Sequence, residues 1–153
     1  MKVQDVMTSN VKSCRPETSL AEAAKMMWEN DCGILPVVSA EKKIMSTITD
    51  RDIAIAVGTR NQPAWDITVR EVMPEIVVTA APSDDIKSTL RTMGTARERR
   101  LPVTDGNGVL RGILSMNDVV LQTATGPRDP SCEDIINTLK EICEHQMTRA
   151  AMT

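Results

Sequence analysis

Residues Val109–Asp118 read V-L-R-G-I-L-S-M-N-D, a run of strand-forming residues that ends in a helix start. Residues Lys43–Asp52 read K-I-M-S-T-I-T-D-R-D, a weaker copy of the same pattern. Each copy closes on a hydroxyl residue followed three places later by an aspartate, Ser115/Asp118 and Thr49/Asp52. The copies stand 66 residues apart, and so do Pro16 and Pro82, Pro36 and Pro102, and Met7 and Met73. Val3–Val57 can be laid on Val69–Thr123 without a gap, and Val3, Val6, Val11, Met27, Leu35, Val37 and Asp52 then meet identical residues. Conservative pairs such as Leu20/Ile86, Ile44/Leu110 and Ile53/Val119 keep the same register. A gapless match with coincident prolines is the signature of an internal duplication, which sets the fold.

Both copies predict the same series of elements. A short extended piece (Val11–Cys14; Ile76–Thr79) precedes a proline turn, because proline disfavours helix in the residue before it. A helix follows. In the first copy it spans Ser19–Glu29, with Ser19 and Glu22 spaced as a capping box and Leu20, Ala23, Ala24 and Met27 on one apolar face. In the second, Asp84 and Asp85 suit the positive end of the helix dipole ahead of Ile86, Leu90 and Met93. Two strands come next, Ile34–Val38 with Ile44–Ile48, and Leu101–Thr104 with Val109–Leu114. The second pair is joined by D-G-N-G, a strong hairpin signal. A last helix carries Ile53, Ala54 and Val57, or Val119 and Val120.

The fold class is therefore α/β, two β-α-β-β-α units over residues 1–58 and 69–124 with a linker at 59–68. Trp65 in that linker is expected to tuck against one half. After Gly126, Pro127 and Pro130, Ser131 with Asp134 opens a further amphipathic helix over 131–147, with Ile135, Ile136, Leu139, Ile142 and Cys143 on its stripe. That stripe must cover either its own unit or a partner subunit.

Composition narrows the function classes. The 153 residues are 41% hydrophobic and 25% charged with a net charge of −3, which argues against nucleic acid as a partner because no basic excess exists to displace counterions. With Trp28 and Trp65 the only aromatics, stacking platforms for bases are missing as well. The N-terminus has no apolar signal region and no apolar run approaches a membrane span, so a cytoplasmic protein is expected. Cys14, Cys32, Cys132 and Cys143 show no paired spacing and are read as free thiols. Cys132, Cys143 and His145 match no zinc spacing, and the single histidine has no nucleophile or carboxylate pair beside it, so neither a metal site nor a catalytic site is assigned.

A serine or threonine three residues before a carboxylate is first of all a helix cap, as at Ser19/Glu22 and Ser131/Asp134. At Ser115/Asp118 and Thr49/Asp52 it also follows a buried strand, at the strand-to-helix mouth where α/β clefts hold ligands and free N–H groups face anions. With V-M near the start of each copy, L-P-V on the middle strand and these two turns, Val3–Thr123 resembles a tandem pair of cystathionine β-synthase (CBS) domains, a Bateman module.

The resemblance implies two halves related by pseudo-twofold symmetry, with two clefts that take an adenosine-containing ligand: AMP, ADP or ATP, with NAD and S-adenosylmethionine as further members of the class. It implies that Asp118 in one cleft and Asp52 in the other accept hydrogen bonds from ribose hydroxyls. Ser115 and Thr49 would face the phosphate end, and Gly33, Ile34 and Ile113, with Val11 as a wall, would form the adenine slot opposite Asp118. Arg99, Arg100 and Arg51 are candidates for phosphate, with a solvated helix end as the alternative for T-A-R-E-R-R. Ser46 replaces Gly112, and Arg99 replaces Gly33, in the other copy, so the Asp118 cleft is expected to be the better site and the Asp52 cleft the more phosphate-dependent.

The function implied is a regulatory module rather than an enzyme, a homodimer that signals to an effector in trans. A ligand-free homodimerisation module is the alternative. Met26, Met27 and Trp28 offer a dimer surface, with a core role for Met27 as the rival reading.

Overall fold

A computed structural model describes residues 1–123 and 130–144. The first repeat contains β1 (Thr8–Ser9), α1 (Leu20–Glu29), β2 (Ile34–Val38), β3 (Ile44–Thr49) and α2 (Asp50–Arg60). The second contains α3 (Ile86–Ala96), β4 (Arg100–Thr104), β5 (Leu110–Ser115) and α4 (Met116–Gln122), and α5 (Cys132–Cys143) follows. Within the repeats every start from α1 to α2 recurs 66 residues on, and the β-bulges at Val37/Val38 and Val103/Thr104 coincide in the same way. The mixed α/β fold with its C-terminal helix is the one expected; residues 145–147 of the predicted helix, and His145, lie outside the described residues.

The strands follow from their sequences. In I-L-P-V-V all five residues of β2 are buried, so the segment is a core strand rather than an alternating one. Pro36 is tolerated inside it because its N–H side faces an edge where only two bonds form, Cys14 N to Pro36 O and Val38 N to Cys14 O. Pro102 repeats this, receiving Ala80 N on its carbonyl while Thr104 N donates to Ala80 O. The extended pieces before the helices are thus single parallel bridges, Cys14 to Val37 and Ala80 to Val103, shorter than their sequence pattern suggested.

The packed halves do not coincide with the sequence repeats. Val3 and Val6 lie in the core of the second half with Ile86, Leu90, Met93 and Leu114, while Ile67 and Val69 lie in the core of the first with Leu20, Leu35 and Ile48. The exchange is reciprocal: Ile86 N donates to Met1 O and Leu20 N to Ile67 O, Val3 N to Asp84 O and Val69 N to Thr18 O. Each 3₁₀ turn, Val3–Asp5 and Val69–Glu71, therefore plugs the other repeat, and neither half closes its core alone. A pseudo-twofold axis relates them, and at one end of it Lys43 faces Val109, with Ile44 N on Gly108 O and Leu110 N on Lys42 O.

Two side chains depart from expectation. Trp65 is 70% exposed, because its 3₁₀ turn Ala64–Asp66 turns Ala64 and Ile67 inward instead. Met27 is buried at 5% and belongs to the core, whereas Trp28 is 88% exposed. The helix α5 covers its own chain. Ile135 and Thr138 are buried, Leu139 and Ile142 pack on the second core, and Gly94 of α3 leaves room for the Glu141 side chain. Its start is a full capping box, Ser131 N and Oγ donating to Asp134 Oδ2 at 2.9 and 2.8 Å. The Ser131 N–H and hydroxyl, with Lys87 nearby, hold the Asp134 carboxyl below its ordinary range.

Candidate functional site

The hydroxyl-x-x-aspartate turns are capping boxes in both repeats. Ser115 Oγ donates to Asp118 Oδ2 at 2.6 Å, Ser115 N donates to it at 2.9 Å, and Asp118 N donates back to Ser115 Oγ at 3.1 Å. Thr49 and Asp52 are joined likewise, at 2.9 and 3.2 Å. The cap consumes one carboxylate oxygen and leaves the other. Among the described residues Asp118 Oδ1 accepts only a long bond of 3.3 Å from the Thr8 hydroxyl. Ser115, expected to face phosphate, donates its hydroxyl to its own cap, whereas the Thr49 hydroxyl accepts from Asp52 N.

Around Asp118 lies a cleft of about 440 Å³ across the two halves. It gathers Val11, Gly33, Ile34, Arg100, Ile113, Ser115 and Asp118, residues that the sequence scatters over more than a hundred positions. Ile34 and Ile113 are each 8% exposed and form an apolar wall. Thr8, Asn10, Lys12, Asp31, Cys32 and Asn117 also line the cleft. Sequence reasoning missed these, and Thr8 in particular carries no signal of its own, since its partner is 110 residues away. Gly112 explains how Thr8 gets there: a Cβ at Gly112 would lie 2.5 Å from the Thr8 carbonyl oxygen, so only glycine admits β1 beside β5.

The second cleft, about 580 Å³, is lined by Ile34, Thr49, Asp50, Arg51, Arg97, Glu98, Arg99 and Arg100, with Ile142 and Cys143 from α5. It places Thr49, Arg51 and Arg99 together as expected from the repeat; Asp52, however, does not line it. Here Ser46 stands in place of glycine, and its hydroxyl donates to Pro74 O at 2.6 Å, so Pro74, the equivalent of Thr8, stays off β3 and offers no hydroxyl. Asp31 and Arg97 are also equivalents, both left-handed at φ 48° and 57°, and each turns the chain from a helix into a cleft lip.

The two clefts differ in charge. The first sets Lys12 and Arg100 against Asp31 and Asp118. The second sets four arginines against Asp50 and Glu98. Arg97 is engaged by Glu144, at 3.6 Å between charged groups, and Arg99 Nη2 donates to Cys143 Sγ at 3.9 Å. Glu98 takes the position of Cys32 in the first cleft. Although the residue is exposed as a whole, partial desolvation of its carboxyl, and then the Asp52 carboxylate, push its pKa up.

Cys14, Cys32, Cys132 and Cys143 are unpaired, and burial pushes the Cys14 thiol up to about 11. Among the described residues no three His, Cys, Asp or Glu side chains are placed to hold a metal ion. No helix among them is long and apolar enough to cross a membrane.

The CBS domain family matches residues 3–58 and 69–122. The chain is 30% identical to the CBS domain-containing protein YhcV of Bacillus subtilis over 119 residues, 78% of this chain and 83% of that one. Among solved structures, the CBS domain pair of protein MJ0100 in complex with 5′-methylthioadenosine and S-adenosyl-L-methionine superposes with a TM-score of 0.72 at 25% identity, covering 79% of this chain and 94% of that one. CBSX2 in complex with AMP superposes at 0.70 and 26% identity, covering 78% and 93%.

Proposed function

This chain belongs to the CBS domain family as a tandem pair of its repeats, and on that premise we propose that it is a regulatory module that binds an adenine nucleotide, AMP, ADP or ATP, in its inter-repeat clefts. The observation that carries the reading is the cleft at Asp118. A half-buried carboxylate with one oxygen held by its cap and the other only loosely engaged faces an apolar wall of Ile34 and Ile113. A vicinal diol supplies the donors that such an oxygen lacks, and a flat heterocycle suits the apolar wall beside Gly33. Relatives with S-adenosyl-L-methionine, 5′-methylthioadenosine or AMP bound support the adenosine part of the reading. NAD and S-adenosylmethionine remain members of the same ligand class.

Of the two clefts, the one at Asp118 is the stronger nucleoside site. The second, with four arginines and no lining aspartate at the Asp52 position, depends on the ligand's phosphates. Binding draws the halves together across the axis and shifts a population of states that an effector protein reads in trans. The module acts in the cytoplasm, where nucleotides are abundant and free thiols persist.

A thermal-shift series with AMP, ADP, ATP, NAD, S-adenosylmethionine and 2′-deoxy-AMP tests the proposal. Ligand at a hundred times its dissociation constant adds about 2.7 kcal/mol of stability, a shift of several degrees. Asp118→Ala should cost about ten- to a hundredfold in affinity, the worth of a charge-assisted hydrogen bond, and 2′-deoxy-AMP should lose a similar factor. No shift with any ligand would leave a structural homodimerisation module as the function.

A further inference from the structure

The residues that line both clefts are Ile34 and Arg100, which are each other's equivalents across the pseudo-twofold axis. One is a buried apolar wall. The other is a half-buried arginine whose guanidinium has no hydrogen bond or ion pair among the described residues. Its backbone is fixed, as the first residue of β4 opposite Ser115 on β5. The other cations are private: Lys12 faces the Asp118 cleft, while Arg51, Arg97 and Arg99 face the second. From this placement, and resting on the nucleotide reading above, we infer that Arg100 is a single cation shared by the two clefts, so that a phosphate held in one weakens binding of a phosphate-bearing ligand in the other.

The physical reason is the geometry of the guanidinium. Its planar fork satisfies one phosphate in bidentate fashion and then has few donors left for a second. The first cleft suffers most from sharing, because without Arg100 it holds only Lys12 against two carboxylates. The second keeps three arginines and loses less. Two bound phosphates also repel each other directly, but that antagonism grows when the cation between them is removed. Antagonism through sharing disappears instead. The sign of the change on losing Arg100 therefore separates the two causes.

The test is calorimetric titration of the full chain with AMP, with adenosine and, in parallel, with inorganic pyrophosphate. Asp118→Ala weakens the first cleft about ten- to a hundredfold, so that at AMP concentrations below its raised dissociation constant the second cleft reports alone. With AMP, the second-phase dissociation constant of the wild type should exceed that of Asp118→Ala by about tenfold, the loss of one charge-assisted contact. With adenosine the two should agree. In an Arg100→Gln background both AMP constants should rise while the gap between them closes, and Arg100→Lys, which keeps a charge without the fork, should leave a smaller gap. A gap that persists or widens in Arg100→Gln overturns the inference.

The pyrophosphate arm stands apart from the ribose reading. One equivalent should bind, with affinity falling about tenfold in Arg100→Gln. Pyrophosphate binding without AMP binding would sink the adenosine proposal and leave the shared cation standing. Two equal pyrophosphate sites, no pyrophosphate binding, or affinity indifferent to Arg100 would sink the shared cation.

Discussion

Gly112 and Ser46 occupy equivalent positions, and the difference of one hydroxymethyl group makes the two halves unlike. At Gly112 the backbone of Thr8 comes in as a strand; at Ser46 the side chain itself takes the carbonyl of Pro74. Gly112→Ala puts a Cβ against backbone rather than a movable side chain, so it should cost about 1–3 kcal/mol by urea unfolding. It should also weaken AMP binding by displacing Thr8 from Asp118. Glu98 supplies a second residue-scale prediction, this one with a pH sign. Its pKa is raised in the folded protein, so the folded state holds a proton that the unfolded state releases, and stability falls as pH rises from about 4.5 through the folded value. Glu98→Gln should therefore melt above wild type at pH 7 and lose that advantage below pH ~4, the range where Glu98 is protonated in both states. Phosphate affinity of the second cleft should rise with it at neutral pH. An unchanged melting temperature at pH 7 would show that ionised Glu98 costs the fold nothing.

At the scale of elements, α5 carries consequences that its amphipathic pattern alone left open. The stripe Ile135, Leu139, Ile142 could have met a partner subunit, and in the fold it meets α3 and the second core. Its end also reaches the second cleft through Ile142 and Cys143. Ile135→Ala should cost about 2–5 kcal/mol, as for other buried isoleucines, and it should loosen the wall of the second cleft while leaving the Asp118 cleft's AMP affinity within a factor of two or so. Equal loss at both clefts would show that α5 supports the whole module rather than one site. Helix α1 shows a comparable choice. Met26, Met27 and Trp28 looked like one surface, but Met27 falls on the inward face set by Leu20 and Ala23, and Trp28 on the opposite one.

For the whole molecule, two exposed apolar residues, Ile55 on α2 and Leu121 on α4, stand at equivalent places in the two repeats. Ile55 is 51% and Leu121 82% exposed, with Val57 and Val120 beside them. A homodimer across these helices would remove them from water, and Leu121→Glu should shift the assembly to monomer by sedimentation at micromolar concentration. A wild type that sediments as a monomer would overturn the expectation of a homodimer.

The duplication, its register, the order of elements and the caps were legible in the sequence because they are local or periodic. A proline turn, a capping box or a 66-residue repeat is written in neighbouring residues and needs no knowledge of what packs on it. Only the tertiary structure decided that each 3₁₀ turn plugs the opposite repeat, that Thr8 meets Asp118, that Trp65 stays outside, and that Ile34 and Arg100 stand at the junction of both clefts. Those are contacts between residues far apart in the chain. They arise from which apolar faces fit together, and many faces of the same composition look alike until they are packed.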